Sequence, residues 1–167
     1  DDALHPVQDD AEGLLDELLR RTLDSLASFT EEFEVIIVDD GSIDRSLELA
    51  LAWRKKDRRV KVLALSKNFG HQAAFTAGLD HAKGDIVAMM DGDLQDPPEL
   101  LHEMYKKITI EGYDIISGKK TGRKGHKGRN FSAWLVHLLF RHIGEIKDME
   151  NSGNFSMMNR EALTALL

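Results

Sequence analysis

Apolar residues recur at helical spacing from near the start of the chain. Leu14, Leu15, Leu18, Leu19, Leu23 and Leu26 fall on one face, which predicts a helix over about 11–28. The pattern then changes period. Glu34 to Val38 is a short β-branched run, broken by Asp39-Asp40-Gly41-Ser42. Ser46 to Lys56 reads as helix, Val60 to Leu65 as strand and Gln72 to Ala82 as helix, with Gly84 as its expected stop. Ile86 to Met90 is a buried strand. Pro97 opens a helix that ends near Gly112, with Asp96 as its N-cap, and Tyr113 to Ser117 is a strand.

Strands alternating with helices of this length predict an α/β fold built on a parallel sheet. Ligands of such sheets bind beyond the carboxyl ends of the strands, where both acidic turns of this chain fall. Residues 118–130 are different: glycines alternate with bases, the signature of a long loop. Phe131, Trp134, Leu135, Leu138, Leu139, Phe140 and Ile143 follow as an apolar helix. Periodicity leaves open whether that helix lies near a membrane surface, on a partner or in a core. Asn154 to Met158 is strand-like and leads into a short helix.

Composition narrows the class. With 167 residues the chain fits one domain, and 42% hydrophobic against 31% charged residues is ordinary for a globular protein. There is no cysteine, which excludes disulfides and thiolate zinc sites. No apolar run reaches membrane-spanning length. The chain does not begin with Met, so a fragment of a longer protein is expected. Net charge is −7 but uneven. Between Ile115 and Gly144 lie Lys119, Lys120, Arg123, Lys124, Lys127, Arg129 and Arg141, with no acid; the remaining 15 bases and 29 acids leave −14 elsewhere. A basic island on an acidic chain predicts a local anionic partner, not a nucleic-acid-coating surface.

Two acidic turns carry candidate chemistry. In Val38-Asp39-Asp40-Gly41-Ser42-Ile43-Asp44, Gly41 permits a tight turn, and Ser42 or Asp44 caps the next helix. Capping does not account for adjacent Asp39 and Asp40, whose like charges predict that something binds them. In the second turn, Asp91 and Asp93 flank Gly92, so a relaxed turn lets both face one cation. Oxygen ligands of this kind, with Gln95 as a third, suit Mg²⁺ or Mn²⁺. Such an ion neutralises a diphosphate leaving group. His71 is the one histidine beside a motif.

VDDGSID (38–44), SKNFGHQAAFTAGLDHAKGD (66–85) and MMDGDLQDPPEL (89–100) together resemble the family 2 glycosyltransferases. The resemblance extends to the polyprenyl-phosphate branch, dolichol-phosphate mannosyltransferase-like and undecaprenyl-phosphate enzymes. It implies a GT-A (Rossmann-like) fold over 1–167 as a single catalytic domain, truncated before C-terminal membrane segments. It implies inverting sugar transfer from a UDP or GDP sugar to a polyprenyl phosphate, at the cytoplasmic face of a membrane. By the same likeness Val38 and Asp40 contact the nucleobase, Lys67 lies near the nucleotide, and Asp91 meets ribose, metal or both. Asp93 and Gln95 hold the metal. The basic loop then receives the acceptor phosphate through Lys119, Lys120, Arg123 and Arg129.

Two stretches depart from the branch. Its opening strand ends in a Pro-x-Tyr-Asn-Glu-like motif; the matching residues here include Pro6, Val7, Gln8 and Asp10, with Gln8 in place of the aromatic. Near the end, an Asp-x-Gly-Asp-Phe-Arg-like segment reads Asn151-Ser152-Gly153-Asn154-Phe155-Ser156, so both acids have become Asn. Asp148 or Glu150 is the expected compensation. Two other readings follow: a glycosyltransferase acting on a hydroxyl, with Asp148 as general base, in cell-surface polysaccharide assembly, or a degenerate nucleotide-sugar-binding module.

Overall fold

The structure, a computed structural model, describes residues 8–119 and 152–167, and the side chains of 13–118 and 154–167. The chain divides into two compact units, residues 1–82 with 92–99 and residues 83–91 with 100–167.

In the first unit, α1 (Gln8–Ala27) precedes β1 (Val35–Asp39), α2 (Ser46–Lys56), β2 (Val60–Ala64) and α3 (His71–His81). Strands β1 and β2 pair in parallel from Val35↔Val60 to Asp39↔Ala64. A parallel pair needs a crossover, and α2 supplies it. Leu18, Leu19 and Leu23 of α1, Ala50 of α2, Val60 of β2 and Leu79 of α3 are buried. Of the leucine face read from the sequence, Leu18, Leu19 and Leu23 are buried, Leu15 and Leu26 are half-buried, and Leu14 is exposed near the start of the helix. Trp53 of α2 donates its indole N–H to Asp16 of α1 at 3.0 Å, which fixes how the two helices meet.

In the second unit, β3 (Ile86–Met89), α4 (Leu101–Thr109), β4 (Ile115–Lys119), β5 (Ser152–Asn159) and α5 (Arg160–Leu166) follow in order. The last strand sits in the middle, in the order β3-β5-β4, antiparallel to both neighbours. Hence β3 and β4 run in the same direction with β5 between them. Phe155, Ser156, Met157 and Met158 are all buried, as a central strand covered on both faces requires. Asn159 ends the strand: its side chain accepts from the Ala162 N–H at 2.8 Å and caps α5.

Two boundaries differ from expectation. Helix α3 stops at His81, and Ala82 turns extended at φ −68° and ψ 134°, so Gly84 is not its stop. The helical stretch after Asp96 begins as a 3-10 turn at Pro98–Leu100, which places Asp96 one residue too early to be its N-cap; its carboxylate is buried instead.

Candidate functional site

The first acidic turn leaves the carboxyl end of β1, and its carboxylates hold backbone. Asp39 Oδ2 accepts from the Ser42 N–H at 3.3 Å, closing the turn on itself. Asp44 Oδ1 accepts from the Ser46 N–H at 2.9 Å at the start of α2. Hydrogen bonding from Ser46 holds the Asp44 carboxyl below its ordinary range. Arg45, not Ser42 or Asp44, is the N-cap residue of α2, and Asp44 reaches the first helical N–H from one residue further back.

Asp40 reaches further. Its Oδ1 accepts from the Phe69 N–H at 2.7 Å and its Oδ2 from the Gly70 N–H at 2.9 Å. This ties the 66–70 loop, which follows β2, to the turn that follows β1. Gly41, at φ +71°, completes the junction: a Cβ there would lie 2.6 Å from the Lys67 carbonyl carbon and 2.7 Å from the Asn68 nitrogen. Lys67 is exposed on this loop, with Nζ 5.1 Å from the Phe69 ring centre. Val38 is half-buried and packs toward α3, since its Cγ2 would be 3.1 Å from a Cβ on Gly78.

The expectation that something must bind the adjacent Asp39 and Asp40 is met by the protein's own N–H groups.

The second acidic turn leaves β3. Asp91 accepts from the Asn154 side-chain amide on both oxygens, each at 3.0 Å. Asp93 Oδ1 accepts from the Gln95 N–H at 3.0 Å, a local turn of the Asx type. Between Asp93 and Gln95, Leu94 takes φ +56°, a left-handed conformation that costs a non-glycine residue about 1 kcal/mol. Strain of this kind collects at functional turns. The limb after the turn is anchored to α1. The Arg21 guanidinium grips Glu99 through two bonds of 2.8 and 2.7 Å, and Ser25 Oγ donates to the Pro98 carbonyl at 2.7 Å.

Among the described residues, no three His, Cys, Asp or Glu side chains gather as a ready-made metal cage. Mg²⁺ and Mn²⁺ need none: they bind through one or two carboxylates together with water and substrate phosphates. Asp91, Asp93 and Gln95 offer oxygens of that kind. A carboxylate oxygen that accepts one hydrogen bond still has a second lone pair, so the Asn154 amide does not use up Asp91. Each of these side chains is of a type that binds such ions.

Gln8 and Asp10 are in the first turns of α1, and Lys119 ends β4; their side chains are outside the described residues. Pro6, Val7, Lys120, Arg123, Arg129, Asp148 and the helix expected over 131–143 also lie outside them. Sequence reasoning missed the partner of Asp91. It singled out Asn154 as a departure, but no local pattern ties two residues 63 positions apart.

The family model for glycosyl transferase family 2 matches residues 15–167. An uncharacterized glycosyltransferase of Synechocystis is 37% identical over 153 residues, covering 91% of this chain and 48% of that protein. The undecaprenyl-phosphate 4-deoxy-4-formamido-L-arabinose transferase of Pseudomonas paraeruginosa is 38% identical over 128 residues, covering 76% of this chain and 38% of that protein. The chain thus spans less than half the length of these curated relatives. In structure it resembles a mannosyltransferase of Pyrobaculum calidifontis solved with GDP-Man and Mn²⁺, at TM-score 0.61 and 22% identity, covering 93% of this chain and 43% of that one. That likeness concerns the fold, and it is the GT-A fold. The chain belongs to glycosyl transferase family 2.

Proposed function

We propose that this domain moves a sugar from a UDP or GDP sugar to a polyprenyl phosphate, with inversion at the anomeric carbon. The observation that carries the reading is the Asp40 clamp, which sets Lys67 and the 38–44 turn at the carboxyl ends of a parallel strand pair. Ligands of open α/β sheets bind at such ends. The name of the Pseudomonas relative, an undecaprenyl-phosphate sugar transferase, supports the acceptor class.

In this reading Val38, Asp40 and Lys67 serve the nucleotide: Asp40 shapes the loop, and Lys67 offers a positive charge to the diphosphate. Asp91, Asp93 and Gln95 would hold Mg²⁺ or Mn²⁺, and such an ion would neutralise charge on the diphosphate leaving group. Pro6, Val7, Gln8 and Asp10 border the base. Lys119, Lys120, Arg123 and Arg129 receive the acceptor phosphate, and the parent protein works at a membrane surface. An acceptor phosphate oxygen forms the new bond to the anomeric carbon. The bond from that carbon to the donor diphosphate breaks, and the nucleoside diphosphate leaves with the electron pair. The attacking oxygen is already anionic, so positioning outweighs base catalysis.

The test is transfer of labelled sugar by the detergent-solubilised parent protein to polyprenyl phosphate, with UDP and GDP donors in turn. Transfer to the lipid phosphate, little changed by Asp148→Asn, is the expected result. Transfer only to a hydroxyl acceptor, abolished by Asp148→Asn, overturns the acceptor assignment. Nucleotide binding without transfer to any acceptor overturns the enzymatic one.

A further inference from the structure

Asn154 stands where the resembling branch carries an acid, and the register of β5 explains what it does there. Strands β3 and β5 pair antiparallel, ending at Met89↔Ser156. The same register carried two residues further sets Asp91 opposite Asn154. The side chains then meet on one face, because residues two apart on a strand share a face. Both are half-buried, and the Asn154 amide nitrogen lies 3.0 Å from each oxygen of Asp91. A carboxylate in place of that amide would put a second negative charge against Asp91. Two carboxylates that close repel unless a cation or a shared proton lies between them.

We propose that Asn154 is a positioning residue that holds the Asp91 carboxylate in place through its side-chain amide, so that the order of this acidic turn does not depend on bound metal. Its consequence for catalysis rests on the glycosyltransferase reading, in which Asp91 faces donor and metal. The amide does what outer partners of metal-binding carboxylates do: it fixes orientation before the ligand arrives.

The experiment compares the 167-residue chain with Asn154→Ala, Asn154→Asp and a double variant that exchanges the two side chains, Asp91→Asn with Asn154→Asp. Melting is followed in EDTA and in Mn²⁺, and Mn²⁺ affinity is read from the electron paramagnetic resonance of the free ion. N154D should melt lowest in EDTA, recover selectively when Mn²⁺ is added, and bind Mn²⁺ about tenfold more tightly than the parent sequence. N154A should lose stability that Mn²⁺ does not restore. The exchange should regain the EDTA melting temperature, since an amide at position 91 can then donate to a carboxylate at position 154.

A purely structural side chain would give N154A and N154D the same loss with or without metal, and that result overturns the proposal. So does an N154D protein that fails to fold even with Mn²⁺, or an exchange no more stable than N154D. These readouts use no sugar donor. Failure of sugar transfer therefore counts against the functional reading alone, and failure of the metal-selective rescue against Asn154 alone.

Discussion

Asp40 shows how one side chain carries both structure and site. Its two oxygens take the Phe69 and Gly70 N–H groups, and each bond is charge-assisted. Asp40→Asn keeps the shape but turns one oxygen into a donor facing another donor. The expected cost is about 2 kcal/mol, the scale of losing a hydrogen bond to a charged group. Chemical denaturation measures it, and calorimetry with UDP and GDP should show weaker binding as the loop bearing Lys67 comes loose. A variant as stable as the parent would show that the clamp is not what fixes the loop. At this scale the sequence was half legible. Adjacent acids before a glycine marked a place where charge needs a partner, but the partner lies 29 residues on, beyond any local pattern. Asn154 was visible as an exchanged acid, whereas its hold on Asp91 depends on strand register.

Elements were more legible than their pairings. The helix read over Ser46–Lys56 has those bounds, and the middle of the leucine face of α1, Leu18 to Leu23, is buried while Leu14 is exposed. Periodicity reports which face of an element is covered, not which element covers it. The insertion of β5 between β3 and β4 was therefore out of reach, although its strand character was not. The anchoring of the second acidic turn to α1 belongs to the same class of long-range contact. Arg21 holds the Glu99 carboxyl below its ordinary value of 4.5, chiefly through their hydrogen bonds. A carboxyl depressed on folding adds stability that is fully present above its unfolded value. That stability is lost as pH falls through the lower folded value. Glu99 is more than half exposed, with side-chain exposure of 56%, so solvent screening keeps the contribution of the pair small. Glu99→Gln should therefore lower the urea midpoint slightly at neutral pH. The difference from the parent should vanish in acid below the folded value. A difference that persists unchanged there would assign the effect to packing instead of charge.

Across the whole molecule the informative quantity is the distribution of charge, because the net value of −7 alone argues against any anionic surface. A uniformly acidic domain is repelled by membranes rich in anionic lipid, and only asymmetry changes that. The bases from Lys119 to Arg141 are set in a stretch without a single acid. Each Lys or Arg near an anionic bilayer contributes about 1 kcal/mol, and this attraction fades within a Debye length of about 10 Å at moderate salt. The lipid-phosphate reading thus predicts that the chain sediments with vesicles containing anionic lipid, but not with neutral ones, and is released as salt rises. Replacing Lys119, Lys120, Arg123 and Arg129 together by Gln removes four of those seven charges and should weaken vesicle binding by at least about tenfold. The same variant should keep its nucleotide affinity, because the turns at 38–44 and 66–70 are untouched. Equal binding to neutral vesicles, or binding indifferent to the four substitutions, would mean that this stretch serves some other anion and does not bring the acceptor to the domain.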